Sequence, residues 1–364
     1  MCAIKSVLRT LKPVTMPKGG PRPILEKVYM DSHCVRATNL TMLVEVRYDT
    51  GLLSPALFDF KALEEASRFG PQHSFRGVDG NGDTVLQFES VAVRSSGDPL
   101  EFPTIDVSNV EYVCRVPVDE LRMALEICDR FAENERSIRF NLRSILLERI
   151  GTQKLLAVAC DGHKLITFPL ACVTINAPQE STKVSQVLIP AEVRKPLVRV
   201  LRTLQGDCVI SWSEDRMVIE SQTTRIVIRT ETDCRYPNWR SVTPKTQAKA
   251  TVMITPDGTA RVLESFARAT KSEKNQNSRV LCTIADGRLT IKGECDSHIL
   301  DLDIQSVTDG VARFWLAPHN AAALFNATDG KLTTITFHGD GEPIEFECDS
   351  VYGLVMTLID VDED

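Results

Sequence analysis

The chain lacks the run of about 20 apolar residues that a membrane-crossing helix needs, so no membrane span is expected. It also lacks a secretory leader pattern, because MCAIKSVLRTLKPV is amphipathic and basic and has no continuous apolar centre. No CxxC pair and no His/Cys cluster has the spacing of a zinc site, so neither a metal nor a cofactor is expected. The cysteines number eleven, an odd count without paired spacing, which points to reduced thiols in a cytoplasm. There is no phosphate-cradling glycine loop: VDGNGDT at 78–84 lacks the lysine and reads as a tight polar turn whose glycines serve backbone geometry. Catalytic residues are not expected either. The nearest candidates are Cys160 or Asp161 with His163, and that spacing across a turn rarely brings a nucleophile and a base together with a third, orienting group.

What is present is repetition. A strand that breaks at a polar turn and resumes occurs as VRATNLTMLVEV at 35–46, LAVACDGHKLITF at 156–168 and LTIKGECDSHILDL at 289–302, with corners at Asn39, Asp161 and Asp296. Phe102-Pro103 and Tyr236-Pro237 repeat at about 130 residues. At 364 residues the chain is too long for one core, and this period makes three similar domains, at 1–110, 111–245 and 246–364. Tandem arrays of this kind build a surface rather than one catalytic pocket.

Six amphipathic helices are predicted, two per block, at 3–14, 57–69, 117–132, 191–204, 256–271 and 318–328. Between them lie strand-like stretches such as RMVIES, RIVIRT and TTITFH. Val118, Leu121, Leu125, Cys128 and Ala132 form one apolar stripe and Val193, Leu197, Val200, Leu201 and Leu204 another, as helices packed on a sheet require. Pro117 suits a first turn, and Pro196 is expected to delay or kink its helix. The fold class is therefore α+β.

The formal net charge of −7 argues against a nucleic-acid partner, but its distribution does not. Lys195, Arg199 and Arg202 fall on one line opposite the apolar stripe, and Lys5, Arg9 and Lys12 repeat that phase. Lys61 and Arg68, and Arg261 and Arg268, continue it, whereas the helix at 318–328 has no cation. A solvated helix face carries lysine and arginine in any protein. If these faces converge, however, they form a lining that grips phosphate without reading bases.

At these residues the sequence resembles the bacterial sliding clamp, the beta subunit of DNA polymerase III. CDGHKL at 160–165 matches the family's Thr-Asp-Gly-His-Arg-Leu phrase, and RFNLRSILLE at 139–148, RYPNWRSVTP at 235–244, GGPRPIL at 19–25 and ATNL at 37–40 follow in family order. The resemblance implies a head-to-tail homodimeric ring of six similar domains, with helices lining a hole for double-stranded DNA and antiparallel sheets outside. Its partners would be a DNA polymerase subunit and a clamp loader. It further implies DNA contacts at Arg22, Lys18, Arg136, Phe140 and Asn141. It implies a pocket for partly apolar partner peptides at Leu142, Cys160, Gly162, His163, Lys164, Leu165, Pro244, Leu354 and Met356. Any sheet would bury Leu142, Leu165 and Leu354.

The sequence also departs from the family. Cys160 replaces a threonine, Thr357 stands where the family has proline, and VMTLIDVDED ends with four carboxylates in five residues. Apolar interface positions align with Ala92 and Arg94 on one side and with Thr270 and Lys271 on the other, which predicts a weaker or differently paired dimer. These changes leave open a divergent clamp for a mobile-element or repair polymerase, a clamp-like protein that blocks the usual partners, and an interaction protein without DNA.

Overall fold

Apolar spacing sets the helices. In the computed structural model they are α1 (Ile4–Leu11), α2 (Phe60–Ala66), α3 (Val118–Phe131), α4 (Ala191–Leu201), α5 (Thr259–Ser272) and α6 (Pro318–Thr328). The structure describes residues 4–69, 73–78, 84–89, 91–107, 109–151, 154–172, 185–272, 279–295, 297–339, 341–349 and 351–358, with backbone alone for 73–78, 271 and 272. The acidic tail, the Asp296 corner, most of the 78–84 turn and the Lys271 side chain lie outside that description.

Burial follows the stripes. Ile4, Val7, Leu8 and Leu11 of α1 are buried, as are Val118, Leu121, Leu125 and Cys128 of α3 and Val193, Leu197, Val200 and Leu201 of α4. Each such side chain contributes at most about 1.5–3 kcal/mol. The helix predicted at 57–69 is shorter than expected, because Ala56–Asp59 is a strand. Asp59 ends that strand and caps α2, its carboxylate accepting from Ala62 N at 2.7 Å, so helix begins only at Phe60. Pro117 closes a strand and α3 starts one residue later. Pro196 stands inside α4 without ending it. The absence of cations in α6 has a physical reason: nine of its residues, including Asn320, are buried, so it has little solvated face.

The chain forms two units, Met1–Met123 with Arg149–Leu155 and Leu170–Asp233, and Ala124–Glu148 with Leu156–Pro169 and Cys234–Asp364. The first is built on an eight-stranded antiparallel sheet in the order Ala56–Asp59, Lys27–Met30, Cys34–Thr38, Met42–Arg47, Thr224–Arg229, Arg216–Glu220, Asp207–Trp212 and Glu111–Pro117. It also holds a three-stranded sheet, His73–Val78, Thr84–Phe88 and Val91–Arg94. The second is built on the run Ile145–Ile150, Lys154–Cys160, Lys164–Leu170, Val351–Met356, Pro343–Cys348, Thr333–Phe337, Ala250–Ile254 and Val307–Asp309. Its other sheet is ordered His298–Gln305, Arg288–Cys295, Val280–Ala285 and Ala312–Leu316.

All three sequence repeats are strand–turn–strand: Cys34–Thr38 with Met42–Arg47, Lys154–Cys160 with Lys164–Leu170, and Arg288–Cys295 with His298–Gln305. In each unit the second strand of such a hairpin joins a distant strand and makes one continuous sheet. Met42–Arg47 pairs with Thr224–Arg229 and Lys164–Leu170 pairs with Val351–Met356. The two seams share one register, since Met42 faces Ile228 as Lys164 faces Val355. The corresponding strand of the third hairpin, His298–Gln305, is the edge of its sheet, and Val91–Arg94 is the edge of another.

Candidate peptide pocket and nucleic-acid face

The turn at 161–164 organises the pocket candidates. Asp161 Oδ1 accepts from the backbone N–H of His163 at 2.8 Å and of Lys164 at 2.9 Å, which fixes a two-residue corner with Gly162 at φ +91°. Only glycine takes that conformation without strain. A Cβ on Gly162 would also meet Arg139 Nη1 at 2.6 Å. Arg139 lies across the corner and donates to the Asp161 carbonyl at 2.9 Å, with Leu142 on the same side.

The second Asp161 oxygen forms a buried ion pair with the Lys164 ammonium. Burial by itself would raise the Asp161 pKa; the Lys164 charge and hydrogen bond, with the two backbone N–H groups, outweigh it and hold the carboxyl below the usual carboxylate range. Cys160 Sγ accepts from Gly162 N at 3.3 Å, and burial pushes its thiol up. Asp161 and Cys160 are thus both engaged with the turn itself.

The seam completes the site. Leu165 faces Leu354 across it, and Met356 N donates to the His163 carbonyl at 2.8 Å. Next to Leu354 on the adjoining strand stands Glu345, whose carboxylate meets His338 Nε2 at 3.0 Å. His338 Nδ1 lies 2.9 Å from the Thr246 carbonyl, which ties down the segment carrying Pro244. Burial, then the Glu345 charge, raises the Tyr352 phenol. Leu142, Leu165, Leu354 and Lys164 are buried; Cys160 and Pro244 are half-buried; Gly162, His163 and Met356 face solvent. The structure therefore brings eight of the nine sequence-derived pocket residues around one corner and seam, with Pro244 two residues from the Thr246 anchor. Sequence reading missed Arg139, Glu345 and His338. Arg139 opens the phrase RFNLRSILLE, but its role is visible only once the corner is folded.

The cationic candidates fall into two groups. In the first unit, α1 and α4 lie side by side, with Thr10 Oγ1 2.9 Å from Thr203 Oγ1, so the exposed side chains of Lys5, Arg9, Lys195, Arg199 and Arg202 belong to neighbouring helices. Lys12 is paired with Glu64 at 2.6 Å. Lys18 and Arg22 are exposed on a loop held by Glu26 Oε1, which accepts from Gly19 N and Gly20 N at 2.8 and 3.0 Å. In the second unit Arg261 and Arg268 are exposed on α5. Glu264 lies beside Arg268 at 3.9 Å and binds Arg130 at 2.5 Å. These groups, with Ala267, His319, Ala322 and Ala323, line a cavity. Arg136 is exposed, Asn141 half-buried, and Phe140 is 60% exposed beneath the Arg143 guanidinium, 4.4 Å from its ring centre.

Among the described residues no cluster of His, Cys, Asp or Glu is placed to hold a metal ion, and no helix is long and apolar enough to cross a membrane.

Hairpins joined at repeated seams, with helices packed on antiparallel sheets, define the fold of the DNA polymerase sliding clamps. The beta subunit of Streptococcus pyogenes DNA polymerase superposes with a TM-score of 0.82 at 15% identity, covering 98% of each chain. Pol III beta of Caulobacter crescentus gives 0.79 at 17% identity over 99% of each chain. The sliding clamp of Bacillus subtilis gives 0.79 at 14% identity over 98% of this chain and 97% of its own. No protein-family model and no curated protein matches the sequence. The chain thus has the fold of a DNA polymerase III beta clamp, at 14–17% sequence identity to these three structures.

Proposed function

We propose that the chain is a DNA sliding clamp, a processivity factor of DNA replication acting in the cytoplasm and without catalysis of its own. Two copies form a head-to-tail ring around duplex DNA, each built of three domains at 1–110, 111–245 and 246–364. The observation that carries this reading is the repeated seam. Twice in one chain, the second strand of a block's hairpin accepts the last strand of the next block in the same register. The third hairpin strand, His298–Gln305, and the last strand of the first block, Val91–Arg94, are left as sheet edges. A second copy supplies the missing partner for each, which is a heterologous contact that closes.

Carried over by the shared register, that pairing sets Leu300 opposite Val93 and Ile299 opposite Arg94. The equivalent positions are Leu43 with Val227 and Leu165 with Leu354 in the existing seams. Ile299 is 79% exposed in the single chain, as a residue awaiting a partner strand would be. With arginine opposite it, this third seam is less apolar than the other two.

The cations of α1, α4 and α5, with Lys18, Arg22, Arg136 and Phe140, would meet the DNA backbone, and binding of that kind falls steeply with salt. The corner at Gly162 and His163, with Met356 and the buried Leu165–Leu354 pair beneath, would hold partly apolar peptides from a polymerase subunit and the clamp loader. Loading onto nicked circular duplex tests the function. Protein retained on circles at high salt and shed after linearisation supports the ring; retention that survives linearisation, or none on circles, overturns it. Peptide capture by wild type and by His163→Ala tests the pocket separately.

A further inference from the structure

We propose that Glu264 is a built-in competitor of DNA: its carboxylate holds the place between Arg130 and Arg268 that a backbone phosphate of the duplex takes when the ring is loaded. This role rests on the sliding-clamp reading of the chain and adds to it a residue that sets the strength of the grip. Both oxygens of Glu264 face donors. Oε1 accepts from Arg130 Nη1 at 2.5 Å and from Asn326 Nδ2 at 2.8 Å, and Oε2 lies 3.9 Å from Arg268 Nη1. The donors come from three helices, Arg130 from α3, Arg268 from α5 and Asn326 from α6, so Glu264 sits at their junction. Its place in the sequence puts it there. On α5, Glu264 follows Arg261 by three residues and precedes Arg268 by four, which sets one carboxylate inside the cationic line.

The junction has room for a larger anion. Ala267, Ala322 and Ala323 give the cavity methyl walls, and Arg130, Arg268 and His319 stand around it with Glu264. Arg130 and Glu264 are part-exposed and Arg268 is mostly exposed, so an anion in solution reaches both guanidiniums. An ion pair at this exposure contributes little to folding. A phosphate that replaces the carboxylate makes the same kind of charge-assisted hydrogen bond, because the guanidinium fork suits both groups.

A carboxylate in that place has a defined consequence for binding. Arg130 and, in part, Arg268 are neutralised before DNA arrives, so fewer counterions are released when it does. The salt dependence of binding is then shallower than the cations of α3 and α5 alone would give. For a ring that moves along the duplex, such a competitor keeps each phosphate contact easy to exchange.

The test titrates full-length wild type, Glu264→Gln, Arg130→Gln and the double variant onto a fluorescein-labelled linear duplex across a salt series, read by anisotropy at matched native mass. Glu264→Gln should bind about three- to tenfold tighter at low salt, with the slope of log K against log salt steeper by about one. Arg130→Gln should cost more affinity in the Glu264→Gln background than in wild type, because there its guanidinium is released for phosphate. Glu264→Ala is the second variant, expected to show the same gain should the glutamine form fail to fold. Unchanged or weaker binding on removal of the carboxylate overturns the proposal. So does a gain that is equal with and without Arg130, which would mark Glu264 as one more negative charge. In both cases wild-type binding and retention on circles leave the clamp reading standing, whereas no duplex binding by any form overturns both.

Discussion

The two seams have the same strand pairing but different surfaces. In the first unit Leu43, Val218 and Val227 form an apolar floor, and the chain covers it with its own strap, Ile105, Val107 and Val110. Phe102 anchors the strap, its ring centre 5.5 Å from that of Tyr29. In the second unit the floor is Leu165, Leu354 and Glu345, the last standing where the first unit has Val218 and engaged by His338. Beside that floor Gly162, His163 and Met356 remain at the surface. One architecture thus yields a seam covered by the chain's own strap and a seam whose polar corner stays at the surface, the corner that the proposed function assigns to partner peptides.

The turns differ in the same sense, and the largest predicted effect tests that difference. Asn39 Oδ1 accepts from Met42 N at 2.8 Å, matching the Asp161 contact with Lys164 N, but Asn39 carries no charge. Asp161→Ala strands the buried Lys164 ammonium and should cost about 3 kcal/mol or more. Asn39→Ala should cost about 1 kcal/mol. Because the folded Asp161 carboxyl lies below its ordinary range, its stabilisation is present above about pH 4 and disappears as pH falls through the depressed value. Urea denaturation of each variant and wild type, at neutral and acid pH, measures both claims; equal losses for the two alanine variants would remove the distinction.

A second contrast sits inside the seams. Ile226 in the first corresponds to Gly353 in the second, where a Cβ would overlap the Phe346 ring and crowd the Leu165 carbonyl. Phe346 fills the space that a side chain at 353 would need. Gly353→Ala should destabilise by about 2 kcal/mol through overpacking, read as a lowered midpoint in thermal unfolding. An unchanged midpoint would mean that Phe346 can move aside freely.

The smallest effect is at the first corner. Leu40 has φ +77° at the position that Gly162 fills in the second corner. Leu40→Gly should therefore stabilise by about 0.5 kcal/mol, strain relief exceeding the added chain entropy. A loss of stability in urea would show that Leu40 packing matters more than its backbone.

Much of this molecule is legible in its sequence, and the exceptions share a cause. The helix stripes and three hairpins are local patterns, so periodicity finds them. Ala56-Leu57-Phe58 is a short apolar run that fits strand or helix equally, and the Asp59 cap decides between them. The seams join Met42–Arg47 to Thr224–Arg229 and Lys164–Leu170 to Val351–Met356, which no local pattern encodes. Cys160, Gly162, His163, Lys164 and Leu165 are candidates through the phrase CDGHKL, and Leu142, Pro244, Leu354 and Met356 through their positions in the family resemblance, whereas Arg139, Glu345, His338 and the Ile105, Val107 and Val110 strap take their places through long-range packing.

Native mass across a dilution series, for wild type, Ile299→Asp and Arg94→Leu, tests most directly whether a third seam forms between two copies. The account predicts twice the chain mass for wild type at high concentration, a shift toward single chains for Ile299→Asp, and a dimer that survives greater dilution for Arg94→Leu. A single-chain mass at every concentration, or a dimer indifferent to both substitutions, would contradict it.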